Sequence, residues 1–176
     1  RESREHRGGR HPEIARHLAT RTRGSRITMI PYGADALGEE PTEPLADLGL
    51  EPRRYLTLIA RPEPENSILE IVRAFSARVR GCRLVVLGRY DNKSSRFQSE
   101  VLDSASDEVM FPGGIYDQEV VRSLRAHCLL HIHGHRVGGT NPSLVEALGA
   151  GNAVLAHDNR FNRWVSKDAA RYFRDE

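Results

Sequence analysis

The sequence has little of what marks several protein classes. Its 176 residues include two cysteines, Cys82 and Cys128, which are too few for a disulfide framework and lack the spacing of metal ligands. No run of eighteen or more apolar residues is present, so no membrane-spanning helix is predicted. Residues 1–10 carry charge and glycine where a signal peptide needs an apolar stretch. We therefore expect a cytoplasmic location, with a peripheral contact at the inner face of the membrane as the alternative for a longer parent enzyme.

Composition and charge indicate one folded domain with a basic amino-terminal segment. The chain is 39% hydrophobic and 28% charged, as in globular proteins, and its length suits a single core. The net charge of +2 is uneven, because residues 1–26 hold eight arginines against three glutamates. We predict a segment over 1–25, with a helix over 11–20, and an α/β domain over 26–176. An arm that binds nucleic acid or an anionic membrane is the alternative, but the lack of interleaved aromatic residues argues against nucleic acid.

Short apolar runs alternate with amphipathic stretches along the rest of the chain. This alternation predicts βαβ units and an open parallel sheet with helices on both faces, a Rossmann-like α/β fold. The predicted strands are 26–31, 55–60, 83–88, 108–111, 128–131 and 153–156. The predicted helices are 68–79, 96–104, 117–126 and 142–150, with a short helical turn around 45–48. Ser67 and Glu70 form a plausible capping box for the first of these helices.

Residues suited to ligand binding follow these strands, at the edge where open parallel sheets bind their ligands. The main candidate is the amino end of the helix that begins at Pro142. Asn141 can cap this helix, and the glycines before it let a backbone approach a ligand. We predict an open helix terminus whose unpaired N–H groups and partial positive charge attract a diphosphate. The residues expected to bind it are Gly139, Thr140, Asn141, Ser143 and Leu144.

Three further residues extend this candidate site. Glu146 falls a little over one turn into the helix, where its carboxylate can accept hydrogen bonds from ribose hydroxyls. Arg61 follows a strand and can form charge-assisted bonds to a diphosphate. Gly88 ends the next strand and leaves room for a ligand. The alternatives are a capped helix with a solvated Glu, a solvated surface Arg and a tight-turn Gly.

Three histidines alternate along the strand before the glycine-rich loop. His131, His133 and His135 have strand spacing, so one face presents His133 and its neighbours to the cleft. His133 is interpreted either as a hydrogen-bonding partner of a donor sugar or phosphate, or as a structural histidine. No metal site is expected, because no carboxylate or cysteine completes a ligand set, and no cofactor is predicted.

Taken together, segments 55–76, 84–88, 109–120 and 138–156 resemble the carboxy-terminal domain of group 1 (family 4) retaining glycosyltransferases, which have the two-domain GT-B fold. In that family the first segment reads Gly-Arg, then a few residues, then Glu-Lys-Gly. Arg61 matches the Arg of this segment. Glu146 matches the second of two signature glutamates, the one that binds ribose. The resemblance implies a domain that binds a nucleoside diphosphate sugar as its substrate.

The sequence departs from this family at two positions. Asn66 replaces the family's phosphate-binding Lys and is expected at the diphosphate. Gly138 replaces the first signature Glu, which lies near the donor sugar, and is expected to line the cleft. The resemblance also implies that backbone groups near Ile115 and Tyr116 contact the nucleotide base. The string at 138–144, preceded by His-Gly-His, resembles bacterial rhamnosyltransferases of polysaccharide assembly.

The expected function is that of one half of a glycosyltransferase, which moves a sugar from a nucleoside diphosphate to a hydroxyl acceptor. Residues 30–35 resemble the connector between the two GT-B domains. This implies that the acceptor-binding half lies upstream, that the catalytic groups lie in that half, and that the chain is truncated and inactive alone. Two alternatives remain open: a GT-B nucleotide-sugar epimerase, which the missing first Glu allows, and a non-enzymatic basic binding module.

Overall fold

The computed structural model describes residues 7–9, 11–91 and 95–174. The strands are β1 (Arg7–Gly9), β2 (Ile27–Met29), β3 (Tyr55–Ile59), β4 (Arg83–Leu87), β5 (Val109–Met110), β6 (Leu130–His133), β7 (Val154–His157) and β8 (Arg171–Phe173). The helices are α1 (Pro12–Ala19), α2 (Glu43–Asp47), α3 (Ile68–Ser76), α4 (Arg96–Asp103), α5 (Gln118–His127), α6 (Pro142–Gly149) and α7 (Arg160–Ser166).

Six of these strands form one parallel sheet in the order β5-β4-β3-β6-β7-β8. The chain enters the sheet at β3, moves outward through β4 to β5, and then returns to the other side of β3 to build β6, β7 and β8. The direction of winding therefore reverses between β3 and β6, which pair at Leu56 with Leu130 and at Thr57 with His131. This arrangement confirms the predicted Rossmann-like α/β fold, and it places the switch point of the sheet at the carboxyl ends of β3 and β6.

Side chains that alternate along β4 explain the three-layer architecture. Leu84 and Val86 pack with α3 and α4 on one face of the sheet, whereas Val85 and Leu87 pack with α2 and α5 on the other. Successive side chains of a strand point to opposite faces. A continuous apolar run is therefore what a strand covered on both faces requires.

Two predicted strands differ from those observed. The stretch predicted at 26–31 forms β2, but β2 pairs with β1 in a separate two-stranded sheet. Met29 and Ile30 are exposed, so this segment does not have the buried faces of a central strand. The strand predicted at 128–131 begins two residues later, at Leu130. Cys128 is instead buried in the cluster formed by α2 and α5.

The predicted capping box at the start of α3 is wrong. Ser67 has a left-handed backbone conformation, with φ of 51°, and makes no capping hydrogen bond. Its hydroxyl donates instead to the carbonyl of Gly134 at 2.8 Å. The carboxylate of Glu70 accepts from Arg136 at 2.6 Å. Both side chains therefore tie α3 to the loop after β6, which is one border of the site described below.

The amino-terminal segment contacts the main domain. Helix α1 follows His11, which is buried between the rings of Phe161 and Trp164 at centroid distances of 5.0 and 4.7 Å. Glu13 of α1 also forms an ion pair with Arg160 of α7 at 3.0 Å. The division of the chain at residue 25 stays a prediction. In the described part of the chain, no helix is long and apolar enough to cross a membrane.

Candidate functional site

A cleft of about 820 Å³ lies at the switch point of the sheet, beyond the carboxyl ends of β3, β4 and β6. Several of the residues predicted from the sequence lie on its walls: Arg61, Asn66, Gly88, Ile115, Tyr116, His133, Asn141, Ser143 and Glu146. The cleft therefore brings together residues that are far apart in the sequence, on the side of the sheet where this fold binds ligands.

Four predicted residues do not line this cleft. Leu144 and Thr140 are buried. Gly139 packs against α1, where an added Cβ would lie 2.6 Å from the side chain of Ile14. Gly138 is exposed and has a φ of +116°. The loop over 138–140 therefore connects β6 to α6 and contacts α1, and its side chains do not form the cleft wall.

The amino end of α6 is less open than predicted, because its own cap already binds some of its N–H groups. The side-chain oxygen of Asn141 accepts from the N–H of Ser143 at 3.0 Å, and its carbonyl accepts from the N–H of Val145 at 3.2 Å. The hydroxyl of Ser143 donates to the carbonyl of Ile59, at the end of β3. Within the described ranges, no acceptor meets the N–H of Leu144. The helix terminus thus offers a positive dipole end and a smaller set of amides than an uncapped helix would.

Glu146 is held by an arginine that the sequence did not single out. A terminal nitrogen of Arg125, on α5, lies 2.5 Å from Oε2 of Glu146. The Arg125 side chain is almost fully buried, whereas that of Glu146 is 47% exposed. Burial lowers the pKa of Arg125, and the neighbouring Glu146 opposes that shift. Glu146 therefore reaches the cleft as one member of an ion pair.

Arg61 and Asn66 lie on the same loop but have different surroundings. Arg61 is exposed on the cleft wall, and no carboxylate of the described residues pairs with its guanidinium. Asn66 is buried, and its amide nitrogen donates to the carbonyl of Arg61 at 2.9 Å. The amide oxygen of Asn66 lies 2.5 Å from Nδ1 of His135. The Asn66 side chain is thus engaged on both sides, and it fixes the loop that carries Arg61.

The end of β4 adds a second arginine to the wall. Gly88 donates to the carbonyl of Gly113 at 3.1 Å, and an added Cβ would lie 3.0 Å from the carbonyl of Ala60 and from the ring of Tyr90. Arg89 follows it and lines the cleft. Arg89 was not among the residues predicted from the sequence, although it directly follows a predicted strand, as Arg61 does.

Tyr116 and α5 form a further part of the cleft wall. Tyr116 is exposed, and its ring lies over Gly114, where an added Cβ would lie 3.1 Å from the hydroxyl. Arg122 of α5 binds both carboxylate oxygens of Glu40, at 2.7 and 3.1 Å. The segment over 33–37 closes this side, and its Leu37 donates to the carbonyl of Gly149 at 3.1 Å. Residues before β3 therefore contribute to the cleft.

The three histidines of β6 and its loop have distinct environments. His131 is fully buried, and its Nδ1 lies 3.1 Å from the hydroxyl of Thr57. Burial lowers the pKa of His133 to about 3, with a smaller effect from His135, so His133 is neutral at physiological pH. The Nε2 of His133 is buried and has no hydrogen-bond partner among the described residues. The described residues contain no group of three ligating side chains suited to a metal ion.

The charges of the cleft favour an anionic ligand. Four arginines line it, at positions 61, 89, 122 and 125, against the carboxylates of Asp35 and Glu146. The guanidinium groups of Arg122 and Arg125 are paired with carboxylates, whereas Arg61 and Arg89 meet no carboxylate in the described part of the chain. Guanidinium groups bind phosphate oxygens with paired, charge-assisted hydrogen bonds. The arrangement suits a ligand that carries a negatively charged group such as a phosphate.

Comparison with known proteins identifies the fold. No protein-family model matches the chain, and no curated protein matches it in sequence. Among solved structures, HepE from Anabaena in complex with UDP superposes with a TM-score of 0.77 at 16% identity, over 94% of this chain and 49% of that one. The chain has the fold of one half of a GT-B glycosyltransferase.

Two further GT-B structures agree with this match. A glycosyltransferase from Rickettsia africae gives a TM-score of 0.74 at 12% identity, over 94% of this chain and 48% of that one. Sucrose-phosphate synthase from Thermosynechococcus elongatus gives 0.70 at 18% identity, over 94% and 44%. The chain thus spans less than half the length of these proteins. Rhamnosyl transfer, polysaccharide assembly and a cytoplasmic location stay predictions from the sequence.

Proposed function

We propose that this chain is the donor-binding domain of a glycosyltransferase, which binds a nucleoside diphosphate sugar and acts with an acceptor-binding half. The observation that carries the proposal is the convergence of Arg61, the amino end of α6 and the Glu146–Arg125 pair on one cleft at the switch point of the sheet. The UDP named for the HepE structure, which shares the fold, supports a nucleoside diphosphate as the ligand class.

In this proposal the diphosphate lies between Arg61, Arg89 and the amino end of α6. Negative charge develops on the diphosphate as the bond to the sugar breaks. Cationic groups that are already in place stabilise that charge without reorganisation, and this lowers the barrier. Asn141 and Ser143 shape the helix end, whose positive dipole faces the cleft. Asn66 acts by holding the backbone of the Arg61 loop.

The ribose and the base would occupy the side of the cleft formed by α5 and α6. The carboxylate of Glu146 accepts hydrogen bonds from ribose hydroxyls and takes no part in proton transfer. Ile115 and Tyr116 line the cleft, and in this proposal their backbone groups meet the base. Arg122 and the segment over 33–37 border the same region. The family resemblance adds two points to this proposal. The sugar is transferred with retention of its stereochemistry, and the catalytic groups lie in the other half of the enzyme.

Nucleotide binding to the chain tests the site directly. Isothermal titration with UDP, GDP, ADP and dTDP should give saturable binding for at least one of them. For that nucleotide, Glu146→Ala and Arg61→Ala should each weaken affinity by about tenfold or more, because each removes hydrogen bonds that involve a charged group. Arg96→Ala is the matched control, since its ion pair with Glu100 lies within α4, away from the cleft. Unchanged affinity in both site variants would remove the proposed site.

A further inference from the structure

Arg125 is a buried charge whose partners all lie at the start of α6. Its two terminal nitrogens reach Oε2 of Glu146 at 2.5 Å, the carbonyl of Ser143 at 3.2 Å and the hydroxyl of Ser143 at 3.4 Å. Arginine is rarely buried unless its guanidinium is paired and hydrogen-bonded. The hydrogen bonds of this side chain therefore all act on the helix turn that borders the cleft.

The backbone around Arg125 is also fixed. Its carbonyl accepts from the side-chain amide of Asn152 at 2.7 Å, and Asn152 lies in the turn between α6 and β7. Ser143 in turn donates to the carbonyl of Ile59 at the end of β3. The guanidinium thus lies at the centre of a network that joins α5, α6 and β3. Such a network holds the Glu146 side chain in one orientation, because its partner cannot move independently.

The electrostatic consequence concerns the ligand. A free carboxylate beside a diphosphate would repel it, and the low-dielectric wall of a cleft strengthens that repulsion. Arg125 neutralises Glu146 through Oε2. The other oxygen, Oε1, has no hydrogen-bond partner in the described ranges, and the side chain is 47% exposed. One oxygen is therefore held by the protein and the other is available to a ligand.

We propose that Arg125 is a positioning residue for ribose recognition: it orients Glu146 toward the ribose hydroxyls and cancels the negative charge of its carboxylate beside the diphosphate. The inference rests on the proposed function. It assigns Arg125 no contact with the nucleotide, so its effect passes through Glu146. Removal of Arg125 should therefore abolish discrimination at the ribose, which a general loss of stability would not do.

The ratio of two dissociation constants measures this effect. UDP and 2′,3′-dideoxy-UDP differ only in the ribose hydroxyls. The wild-type chain should bind UDP at least about tenfold more tightly, which corresponds to the loss of hydrogen bonds to a charged group. In Arg125→Met the ratio should fall to near one. Arg125→Lys, which keeps the charge but not the forked geometry, should give an intermediate ratio, and Arg96→Met, on α4 and away from the cleft, should keep the wild-type value.

Two outcomes would overturn the inference. A wild-type ratio retained in Arg125→Met would show that Glu146 needs no such support. Equal weakening of both nucleotides, with the ratio unchanged, would indicate that Arg125 touches the diphosphate itself. Urea denaturation shows whether each variant is folded. If Arg125→Met is unfolded, the comparison of the two nucleotides is made with Arg125→Lys instead.

A measurement without nucleotide separates this inference from the proposed function. In a double-mutant cycle of Arg125→Met and Glu146→Gln, the changes in urea midpoint should be strongly non-additive, because each single change leaves its partner unpaired. An additive cycle refutes the pair and with it the inference, even if nucleotides bind. Failure of the wild-type chain to bind any nucleoside diphosphate refutes the proposed function, whatever the cycle shows.

Discussion

Substitution of Gly134 tests the packing on which the cleft depends. Gly134 directly follows β6, at the switch point, and lies against the loop that carries Arg61. A Cβ at this position would lie 2.7 Å from the side chain of Ile71 and 3.0 Å from the carbonyl carbon of Asn66, with the carbonyl oxygen of Asn66 closer still. Gly134→Ala must therefore push the 61–67 loop away from β6.

The cost of this change can be estimated from the atoms involved. Overpacking of a dense interior costs about 1–3 kcal/mol, and the upper end applies because the obstructing group is backbone, which has no alternative rotamer. The shift would also stretch the hydrogen bond from Ser67 to the carbonyl of Gly134, now 2.8 Å. With a urea dependence of about 2 kcal/mol per molar, we expect the unfolding midpoint to fall by about 1.5 M.

Urea denaturation followed by circular dichroism measures the midpoint, and UDP titration reports on the cleft. Gly38→Ala is the matched control, because an added Cβ there meets nothing within 4 Å and its φ is not in the left-handed region. We expect the control to unfold like the wild-type chain. A Gly134→Ala chain with an unchanged midpoint would mean that β6 and the 61–67 loop are not in close contact, and the described cleft would be incorrect.

Two further predictions concern single side chains of the site. Because the pKa of His133 is lowered to about 3 by burial, the unfolded chain takes up a proton below about pH 6.5 that the folded chain does not. Stability should thus fall as the pH drops from 7 to 5, and by less in His133→Leu; equal losses in urea titrations would contradict this. Asn141→Ala should lower the free energy of unfolding by about 1 kcal/mol through loss of the α6 cap, whereas Asn141→Asp should keep most of it, and an unaffected Ala variant would argue against the cap.

Much of the fold follows from local patterns in the sequence. The apolar runs at β3, β4 and β7 and the Asn-Pro start of α6 are signals that act over a few residues, and the structure bears them out. β8 and α7 were not predicted. The α7 stretch has an Asn159 cap but a mixed composition with little periodicity, and it packs against α6 and against His11, the residue before α1. Such contacts depend on the tertiary structure and leave little trace in local sequence.

The candidate site, like the fold, could be predicted from the sequence only in part. Glu146 and Arg61 were found because family resemblance and position after a strand marked them. Arg125 was missed because an arginine in the last turn of an amphipathic helix ordinarily reads as a solvated, favourable charge at the helix end. Its burial follows from the packing of α5 against α6, which the sequence of α5 does not encode alone. Charge pairs between helices are visible only once the helices are placed.

The local structure explains why Gly138 and Asn66 depart from the family pattern. Gly138 has a φ of +116°, a conformation that residues with side chains rarely adopt, and an added Cβ would lie 3.0 Å from Nε2 of His135. His135 is itself held by the buried Asn66. A Glu at 138 would therefore strain the loop and displace His135, and a Lys at 66 would bury a charge where Asn66 now bridges two groups. Both positions contact one histidine, so neither family residue fits this loop without rebuilding it. Under the proposed function, a donor sugar near this loop would therefore meet a different set of groups from the family's first glutamate.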